Sequence, residues 1–394
     1  MRKLFLLRGL PGSGKSTWIR DNGLDPYTLS SDKLREMFAG LEYNIEGNLC
    51  ISAKRDKLVW ETLDSMLCSR MDKGLTTFID ATNIKEKTIN KYKKMADTYA
   101  YKVYVIDFTD VLPETCFLRN KARGYKQVPD SVANSMADTL KNSRVPKDVT
   151  VLKPDEVLSL LQGRTVDATK YSGITFIGDV HGCLDDLKMV FKNGIDKDIL
   201  YVFTGDYIDR GPKSVETVLY LSKLSKFDNF IFLEGNHERW LRDWVTGNLQ
   251  DIRSKDFLNN TMKQFDNYFK VKKGEDFYSL CKFIKSLKEY VVIKYTDRSG
   301  TEKNILACHG GIPTFPNKYI ELTPSDNFIR GVGSYEDTDE VDCNFAYNTE
   351  ENLILVHGHR NVNNTPIKVN RRVYNLEGAV ERGGCLRTVS FYFS

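Results

Sequence analysis

Gly173-Ile-Thr-Phe-Ile-Gly178-Asp179-Val-His181-Gly182 is the stretch of this 394-residue sequence that decides its fold. Its short apolar run predicts a buried strand, and an aspartate and a histidine follow that strand at once. The same arrangement recurs at 199–204 before Asp206, 230–233 before Asn236 and His237, 304–307 before His309, and 353–356 before His357 and His359. Ligands of α/β sheets gather at the carboxyl ends of the strands, so we expect these side chains to share one rim.

All five histidines of the chain lie in these motifs, together with aspartates and an asparagine. Divalent transition metals accept this mixture of imidazole, carboxylate and amide ligands. Asp206 is the expected bridging ligand between two ions. The other expected ligands are Asp179 and His181 on one ion, with His359 as a further candidate there, and Asn236, His309 and His357 on the second. Two ions about 3.5–4 Å apart clamp a phosphate and activate a water, so the motifs predict phosphoester hydrolysis.

Three side chains beside these ligands are expected to act on the substrate. His237 follows Asn236 directly, and we expect it to protonate the leaving group and not to bind metal. Asp209 is expected to fix the tautomer of His237 and raise its basicity, and Arg210 to bind the phosphate oxygens. A lone Asp-x-His is more often a structural pair, but five motifs with ligand-type side chains in this order argue against that explanation.

The other end of the chain carries a phosphate-binding loop. Gly9-Leu-Pro-Gly-Ser-Gly14-Lys15-Ser16 matches G-x-x-x-x-G-K-[ST], after an expected strand at 3–8 and before an expected helix at 15–21. In such loops Lys15 reaches the β and γ phosphates and the Ser16 hydroxyl binds Mg²⁺. The expected ATP-binding residues of the loop are Gly9, Leu10, Pro11, Gly12, Ser13, Gly14, Lys15, Ser16 and Thr17.

Two further pairs of charged residues lie in this half. Ser30 or Ser31 is a natural N-cap for a helix on which Asp32 and Arg35 share a face. They are either a capping acid with a solvated arginine, or a carboxylate that orients a hydroxyl nucleophile beside a guanidinium that holds a phosphate. Arg119 and Arg123 also share a helical face, as a charged surface stripe or as the arginines of a lid over the transferred phosphate.

Taken together, these N-terminal motifs resemble the 5′-kinase domain of the polynucleotide kinases of T-even phage end-healing enzymes and bacterial RNA-repair proteins, over about residues 1–145. The likeness rests on the phosphate loop, Asp32-x-x-Arg35, the turn at 80–83, and Arg119-x-x-x-Arg123-Gly124 followed by Val128-Pro129. It implies that Asp32 is the general base on a 5′-hydroxyl, that Arg35 grips the acceptor's phosphate, and that both later arginines contact ATP. The phage enzymes have an acid directly before Thr-Asn, whereas this chain has Asp80 one residue earlier, so the role of Asp80 stays open.

Residues 173–394 resemble the calcineurin-type metallophosphoesterases, close to their Ser/Thr phosphatase branch, because of Gly-Asp-x-x-Asp-Arg-Gly and Gly-Asn-His-Glu. The resemblance implies an α/β/β/α sandwich. Many relatives have Asp-Thr-Gly-Ala where this chain has Asn375-Leu-Glu377-Gly-Ala, and the role of Glu377 stays open. The aromatic-rich stretch 240–290 predicts a helical insertion that forms a small core or cap, or else a surface on which a nucleobase stacks.

These features predict an α/β protein with two domains. Residues 1–150 are expected to form a parallel P-loop sheet with helices on both faces and a helical lid, 151–172 a linker, and 173–394 the phosphoesterase. The first 150 residues carry a net charge of +6 and the remainder −2, so the first half is the better candidate to meet a polyanion. Eight scattered cysteines without a Cys-x-x-Cys pair favour free thiols in a reducing cytoplasm, of a bacterium or a phage-infected host. No apolar run reaches the ~20 residues of a membrane span.

A kinase followed by a metallophosphatase is the domain order of an end-healing enzyme. Such an enzyme uses ATP and Mg²⁺ to phosphorylate 5′-hydroxyl ends. With two transition metals, for which Mn²⁺ is the expected choice, it strips 3′-phosphate or 2′,3′-cyclic phosphate. The expected partners are RNA, such as cleaved tRNA, and a separate RNA ligase, with no membrane. Two alternatives are a protein phosphatase or dinucleoside polyphosphate hydrolase fused to a small-molecule kinase, and a non-catalytic RNA-binding scaffold.

Overall fold

A computed structural model describes residues 2–45, 47–249, 252–271 and 274–393. The chain forms two compact units, Met1–Gly163 with Asn317–Ser325, and Arg164–Pro316 with Asp326–Ser394. Within the described ranges, no helix is both long and apolar enough to cross a membrane. The two units are described separately below.

The first unit is built on a five-stranded parallel sheet of order β2-β5-β1-β6-β7. Its strands are β1 Lys3–Arg8, β2 Thr28–Ser30, β3 Leu41–Tyr43, β4 Leu49–Ile51, β5 Thr77–Asp80, β6 Lys102–Asp107 and β7 Thr150–Leu152. Its helices are α1 Lys15–Asp21, α2 Ser31–Ala39, α3 Asp56–Asp72, α4 Glu86–Thr98, α5 Pro113–Lys121, α6 Asp130–Asn142 and α7 Pro154–Leu161. The short strands β3 and β4 pair with each other as an antiparallel ribbon.

Strand β1 shows why this sheet is covered on both faces. All six of its residues are buried, and alternate side chains enter different cores. Leu4 and Leu6 pack with residues of α3 and α4, whereas Phe5 and Leu7 pack with residues of α1 and α7. The predicted parallel sheet with helices on both faces is therefore confirmed.

The second unit contains two sheets, of orders β11-β10-β9-β16 and β15-β14-β13-β12-β8. The remaining strands are β8 Thr165–Asp167, β9 Gly173–Ile177, β10 Ile199–Phe203, β11 Phe230–Phe232, β12 Tyr290–Thr296, β13 Glu302–Cys308, β14 Leu353–His357, β15 Val373–Asn375 and β16 Thr388–Tyr392. The remaining helices are α8 Leu184–Val190, α9 Ser214–Leu224, α10 Asn236–Thr246, α11 Met262–Val271, α12 Glu275–Ser286, α13 Ser325–Ile329 and α14 Thr338–Asn348.

A shared core holds the two sheets together. Phe176 and Val202 of the first sheet pack with Ile305 and Val356 of the second. On its outer face the first sheet packs against α8 to α12 through a second core. Helix α14 lies against the other sheet, where its Asp342 meets His357 of β14. The predicted α/β/β/α sandwich is therefore confirmed.

The segment 151–172 is not the irregular linker that its Pro and Gly residues predicted. Strand β7 is the edge strand of the first sheet, and α7 adds Val157 and Leu161 to the core beneath it. Strand β8 pairs with β12 in the second unit. The boundary between the units therefore falls between Gly163 and Arg164. Short elements of three to eight residues leave too weak a periodic pattern to be recognised from the sequence.

The aromatic insertion, described here except for 250, 251, 272 and 273, is mainly a core. Phe257 and Phe265 are fully buried and Phe269 is 4% exposed, in the cluster against which Trp240, Trp244, Tyr268 and Phe277 pack. By contrast, Tyr278 of the same stretch is 72% exposed. The packing therefore supports the first of the two predicted roles, a small hydrophobic core.

Candidate active sites

The polar side chains predicted to share one rim of the second unit do lie together, with one exception. They follow the ends of β9, β10, β11, β13 and β14. The residues that meet are Asp179, His181, Asp206, Asp209, Asn236, His237, His309 and His359. All but His359 are at most 7% exposed, so the charges in this cluster are largely removed from water and interact strongly.

The ligand atoms of this cluster form overlapping groups that suit two metal ions. Among the described residues, three groups have ligand atoms within 4.8 Å of one another. They are Asp206 with His181 and His237, Asp206 with His309 and His359, and Asp179 with His181 and Glu377. Asp206 belongs to two of the groups, which fits the bridging position predicted for it. The donor set is the mixture of carboxylate and imidazole that divalent transition metals accept.

Backbone carbonyls orient two of the imidazoles for metal binding. His181 donates from Nδ1 to the Ile208 carbonyl at 2.9 Å, and His309 donates from Nδ1 to the Thr204 carbonyl at 3.0 Å. Each bond places the ring proton on Nδ1 and leaves Nε2 as the acceptor atom of the ring. Nε2 of His309 lies 3.1 Å from Asp206 Oδ2 and 3.3 Å from Asn236 Oδ1. Ligating histidines of metalloproteins are commonly fixed in this way.

Burial and the charges of neighbouring side chains shift the pKa values of the cluster. Burial acts to raise the pKa of Asp206, but the imidazoles around it outweigh burial and hold that pKa well below its ordinary value. Burial and the carboxylate of Glu377 raise the pKa of Asp179 well above its ordinary value. Burial, reinforced by His309, lowers the pKa of His359 to about 2. His359 is therefore neutral at neutral pH, the form in which imidazole binds a metal.

His237 lies between the carboxylates of Asp209 and Asp206. Its Nδ1 lies 2.5 Å from Asp209 Oδ2, and its Nε2 lies 3.6 Å from Asp206 Oδ2. Burial alone would lower the pKa of His237, but the carboxylates of Asp206 and Asp209 outweigh burial and raise it. A raised pKa favours the protonated imidazole, the form that can donate a proton to a leaving group.

Arg210 reaches into the same cluster. Its guanidinium lies 2.9 Å from His181 Nε2 and 3.4 Å from His237 Nε2, and it donates to Glu381 at 3.2 Å. Its Nη1 contacts both the buried Glu381 carboxylate and His181, while its Nη2 faces His237. This is a suitable position for binding phosphate oxygens.

His357 is the exception, and its prediction as a ligand is wrong for this fold. Its Nε2 lies 3.0 Å from Asp342 Oδ1 of α14, and its Nδ1 lies 3.1 Å from the Gly358 carbonyl. His357 is still part of β14 and points into the layer under α14, whereas His359 follows the strand and turns toward Asp206 and His309. The grouping of His359 also differs from its suggested place beside Asp179 and His181.

The sequence motifs predict no role for two glutamates of the cluster, Glu238 and Glu377. Glu238 accepts hydrogen bonds from the backbone amides of Gly235, Asp206 and Tyr207 at 2.8–2.9 Å, and so fixes the loop that carries Asp206. The only sign of this role in the sequence is that Glu238 ends the motif Gly-Asn-His-Glu. Glu377 lies beside Asp179 and His181. Its only signal in the sequence is its position in Asn-Leu-Glu-Gly-Ala, where many relatives have Asp-Thr-Gly-Ala.

Backbone strain also marks this cluster. Five of its residues have φ between 44° and 72°, a region that residues other than glycine rarely adopt: His181, Asp206, Asp209, Arg210 and His359. Strain of this kind persists where surrounding contacts impose it and is common at functional sites. Gly358 shows the tightness of the fit, because a Cβ there would collide with the Asp179 carboxylate.

The first unit holds a separate cavity of about 1480 Å³ at the phosphate loop. Lys15 Nζ lies inside, donates to the carbonyls of Gly9 and Leu10 at 2.9 and 2.7 Å, and has a pKa lowered by burial to about 8. Ser16 Oγ donates to Asp80 Oδ2 at 2.8 Å. Asp80 therefore lies beside the hydroxyl expected to bind Mg²⁺, which gives it a place that the sequence left open.

The four charged residues predicted to handle the acceptor and ATP line the same cavity. Asp32 lies between two guanidiniums, 2.9 Å from Arg35 Nη1 and 3.3 Å from Arg123 Nη2. Arg119 lines the cavity as well. Arg35 is therefore not a solvated arginine, and Arg123 is not part of a charged surface stripe.

Ser30, and not Ser31, is the N-cap of α2, since its hydroxyl accepts from the Lys33 amide.

Arg35 also makes two contacts that the sequence did not suggest. It donates to Asp56 at 2.8 and 3.2 Å and lies over the ring of Trp60, 5.9 Å from its centroid. Both partners belong to α3, some 20 residues along the chain, where no motif connects them to Arg35.

Comparison with known proteins agrees with this arrangement of sites. The family model of the calcineurin-like phosphoesterases matches residues 173–380, and that of an AAA domain matches residues 4–143. The chain is 44% identical over 68 residues to serine/threonine-protein phosphatase PP1-delta of Caenorhabditis elegans, which is 16% of this chain and 22% of that protein. It is 36% identical over 117 residues to serine/threonine-protein phosphatase rdgC of Drosophila melanogaster, 28% of this chain and 18% of that protein.

The chain thus covers about a fifth of the length of these two curated relatives. Among solved structures, a protein serine/threonine phosphatase from Saccharomyces cerevisiae aligns with a TM-score of 0.37 and 17% identity, covering 68% of this chain and 97% of that one. A putative kinase from Chloroflexus aurantiacus aligns with a TM-score of 0.30 and 16% identity, covering 38% of this chain and 86% of that one.

Proposed function

The chain belongs to the calcineurin-like phosphoesterase family through residues 173–380, and from that membership we propose that it heals broken polynucleotide ends. In this proposal the first unit transfers phosphate from ATP to a 5′-hydroxyl. The second unit removes a 3′-phosphate or 2′,3′-cyclic phosphate to leave hydroxyls. RNA, such as cleaved tRNA, is the proposed substrate, and a separate RNA ligase joins the healed ends.

The observation that carries the proposal is the position of Asp32 between Arg35 and Arg123 in the cavity of the phosphate loop. A carboxylate can accept the proton of an attacking hydroxyl, and a guanidinium beside it can hold a phosphate. An acceptor that uses both groups carries a hydroxyl and its own phosphate close together. The 5′ end of a polynucleotide has that chemistry.

The size of the cavity supports two substrates at once. Sites for a single small ligand usually enclose about 300–1000 Å³, and this cavity encloses about 1480 Å³. Lys15 and Ser16 lie at its phosphate-loop end and would hold ATP with its Mg²⁺, which neutralises charge on the transferred phosphate. Arg119 and Arg123 line the cavity and would contact the same phosphates.

In the second unit, the side chains divide the work of phosphoester hydrolysis. Two divalent metals held by the Asp206 cluster would supply an activated water and neutralise the phosphate charge. Arg210 would orient the phosphate, and His237, with its proton held by Asp209, would protonate the departing ribose oxygen. A 2′,3′-cyclic phosphate needs the same protonation of a ribose oxygen.

The second candidate is a protein phosphatase joined to a small-molecule kinase, favoured by the names of the two curated relatives. Substrate selectivity separates the candidates. We expect kcat/KM for a 3′-phosphorylated RNA oligonucleotide to exceed that for a phosphoserine peptide or diadenosine tetraphosphate by roughly a hundredfold or more. A DNA oligonucleotide of the same sequence measures the preference for RNA. A reversed order of the RNA and peptide substrates would contradict end healing.

Arg35→Ala and Arg123→Ala should change different kinetic constants of the kinase reaction. Arg35→Ala should raise KM for the polynucleotide several-fold more than KM for ATP, because Arg35 is placed for the acceptor. Arg123→Ala should lower kcat by about 10²–10³-fold, the usual effect of removing a group that meets charge in the transition state. Steady-state kinetics with both substrates varied measure the two effects.

Lys121→Ala is the matched control for Arg123. Lys121 lies on the last turn of α5 with a 62% exposed side chain and does not line the cavity, so its loss should leave both constants within twofold. If Arg35→Ala and Arg123→Ala both changed only the KM for ATP, the assignment of the acceptor side would be wrong.

A further inference from the structure

The carboxylate of Glu377 is buried without a full set of partners. It follows β15 and is 6% exposed. Its Oε1 accepts from the Ala379 amide at 2.6 Å, but no donor among the described residues hydrogen-bonds to its Oε2. A buried, negatively charged oxygen without a donor is costly unless a cation lies against it.

The same carboxylate faces a second buried carboxylate. Ligand atoms of Glu377, Asp179 and His181 lie within 4.8 Å of one another, and Asp179 is 2% exposed. The guanidinium of this region does not fill the gap, because Arg210 is already engaged with Glu381 and His181. The two facing carboxylates therefore lack a positive charge between them, and the imidazole atom beside them, His181 Nε2, accepts from Arg210 here.

We propose that Glu377 is a ligand of the metal ion expected at Asp179 and His181. That ion would then have three carboxylates, those of Asp179, Asp206 and Glu377, and one imidazole. The proposal rests on the metallophosphoesterase half of the proposed function and makes no use of its substrate. It adds a ligand that none of the sequence motifs assigns.

The two ions would consequently have different surroundings. The second would be held by Asp206, Asn236, His309 and His359, with two imidazoles and an amide. Carboxylate ligands suit Mn²⁺ and Mg²⁺, whereas imidazole suits Zn²⁺ and Ni²⁺. We therefore expect Mn²⁺ to be preferred at the Glu377 site and Zn²⁺ to be bound more readily at the other.

Glu377→Gln tests the proposal through Mn²⁺ binding to the full chain. The substitution keeps the shape of the side chain and removes its charge. Calorimetric titration of metal-free protein with Mn²⁺ alone should give two sites in the wild type. In Glu377→Gln one of them should weaken at least about tenfold, as for loss of a group that supports a metal, while the other is retained.

Glu381→Gln is the matched control. Glu381 lies four residues away, its side chain is 3% exposed, and it is paired with Arg210 and Arg382. It belongs to none of the metal-ligand groups among the described residues. Its substitution removes the same charge from the same segment, so both Mn²⁺ affinities should stay within threefold of the wild type.

Thermal unfolding separates a ligand from a merely structural residue. Without metal, Glu377→Gln should not lower Tm, because it relieves repulsion between two buried carboxylates. With excess Mn²⁺, its Tm should rise less than that of the wild type, since the stabilisation by a bound ligand grows with the logarithm of its affinity. A structural role would lower Tm equally in both conditions.

Unchanged binding of both Mn²⁺ ions by Glu377→Gln, or equal weakening by Glu377→Gln and Glu381→Gln, would overturn the proposal. Neither measurement uses a substrate. If the protein failed to act on RNA while Glu377→Gln lost one Mn²⁺ site, only the end-healing function would be refuted.

Discussion

Asp206→Ala should abolish phosphate release from a 3′-phosphorylated oligonucleotide and leave ATP-dependent 5′-phosphorylation unchanged. Asp206 is shared by two of the three ligand groups and is 1% exposed, so its loss should remove the ligand expected to bridge both ions. We expect phosphatase activity to fall by at least about 10³-fold, because the metals supply both the activated water and the charge stabilisation. Release of inorganic phosphate and transfer of labelled γ-phosphate measure the two activities on one preparation.

Lys15→Ala is the reciprocal variant. Lys15 lies in the phosphate loop of the first unit, a different compact unit from Asp206, and should be needed only for the kinase. It should eliminate 5′-phosphorylation while phosphate release stays within twofold of the wild type. If either substitution removed both activities from a protein that remained folded by circular dichroism, the two sites could not be independent.

His237→Ala should keep both metals and lose most activity on 3′-phosphorylated RNA. The 2.5 Å contact with Asp209 and the raised pKa of His237 fit a proton donor, and Asn236 already supplies an amide oxygen beside His309. The ribose leaving group is strongly basic and needs that proton. We expect a loss of about 10²–10⁴-fold on RNA, the usual contribution of general acid catalysis.

p-Nitrophenyl phosphate is the discriminating substrate for this variant. Its leaving group needs little protonation, so His237→Ala should retain a much larger fraction of activity on it than on RNA. Asp209→Asn should show the same pattern, because it removes the carboxylate that orients the imidazole. Loss of one metal per chain by elemental analysis, or an equal loss of rate on both substrates, would instead make His237 a ligand.

The sequence predicted the fold well wherever strand and motif coincide. Strand β1 and helix α1 have the predicted bounds, and each ligand-bearing strand of the second unit lies where its apolar run placed it. Buried parallel strands leave an unmistakable apolar run, and the glycines and ligands at their ends have chemistry that few other positions need. The short elements of 151–172 lack both signals, so the sequence predicts a linker there.

The parts of the site that the sequence missed depend on contacts between distant segments. Nothing local distinguishes His357 from His359; the difference arises because Asp342 of α14 lies over the end of β14. Arg35 likewise finds Asp56 on another helix. Glu377 becomes a candidate ligand only when β15 brings it beside Asp179. Such pairings follow from tertiary packing and not from spacing along the chain.

Repair of one broken RNA tests the central claim most directly. The substrate is a nicked RNA hairpin with a 2′,3′-cyclic phosphate and a 5′-hydroxyl at the break, incubated with the protein, ATP, Mg²⁺ and Mn²⁺. Products are then offered to an RNA ligase that accepts only 5′-phosphate and 3′-hydroxyl ends. We predict that the wild type makes the RNA ligatable, that Lys15→Ala and Asp206→Ala each fail alone, and that the two variants mixed together restore sealing. An RNA left with both original ends by the wild-type protein, while it dephosphorylates a phosphopeptide, would contradict the account.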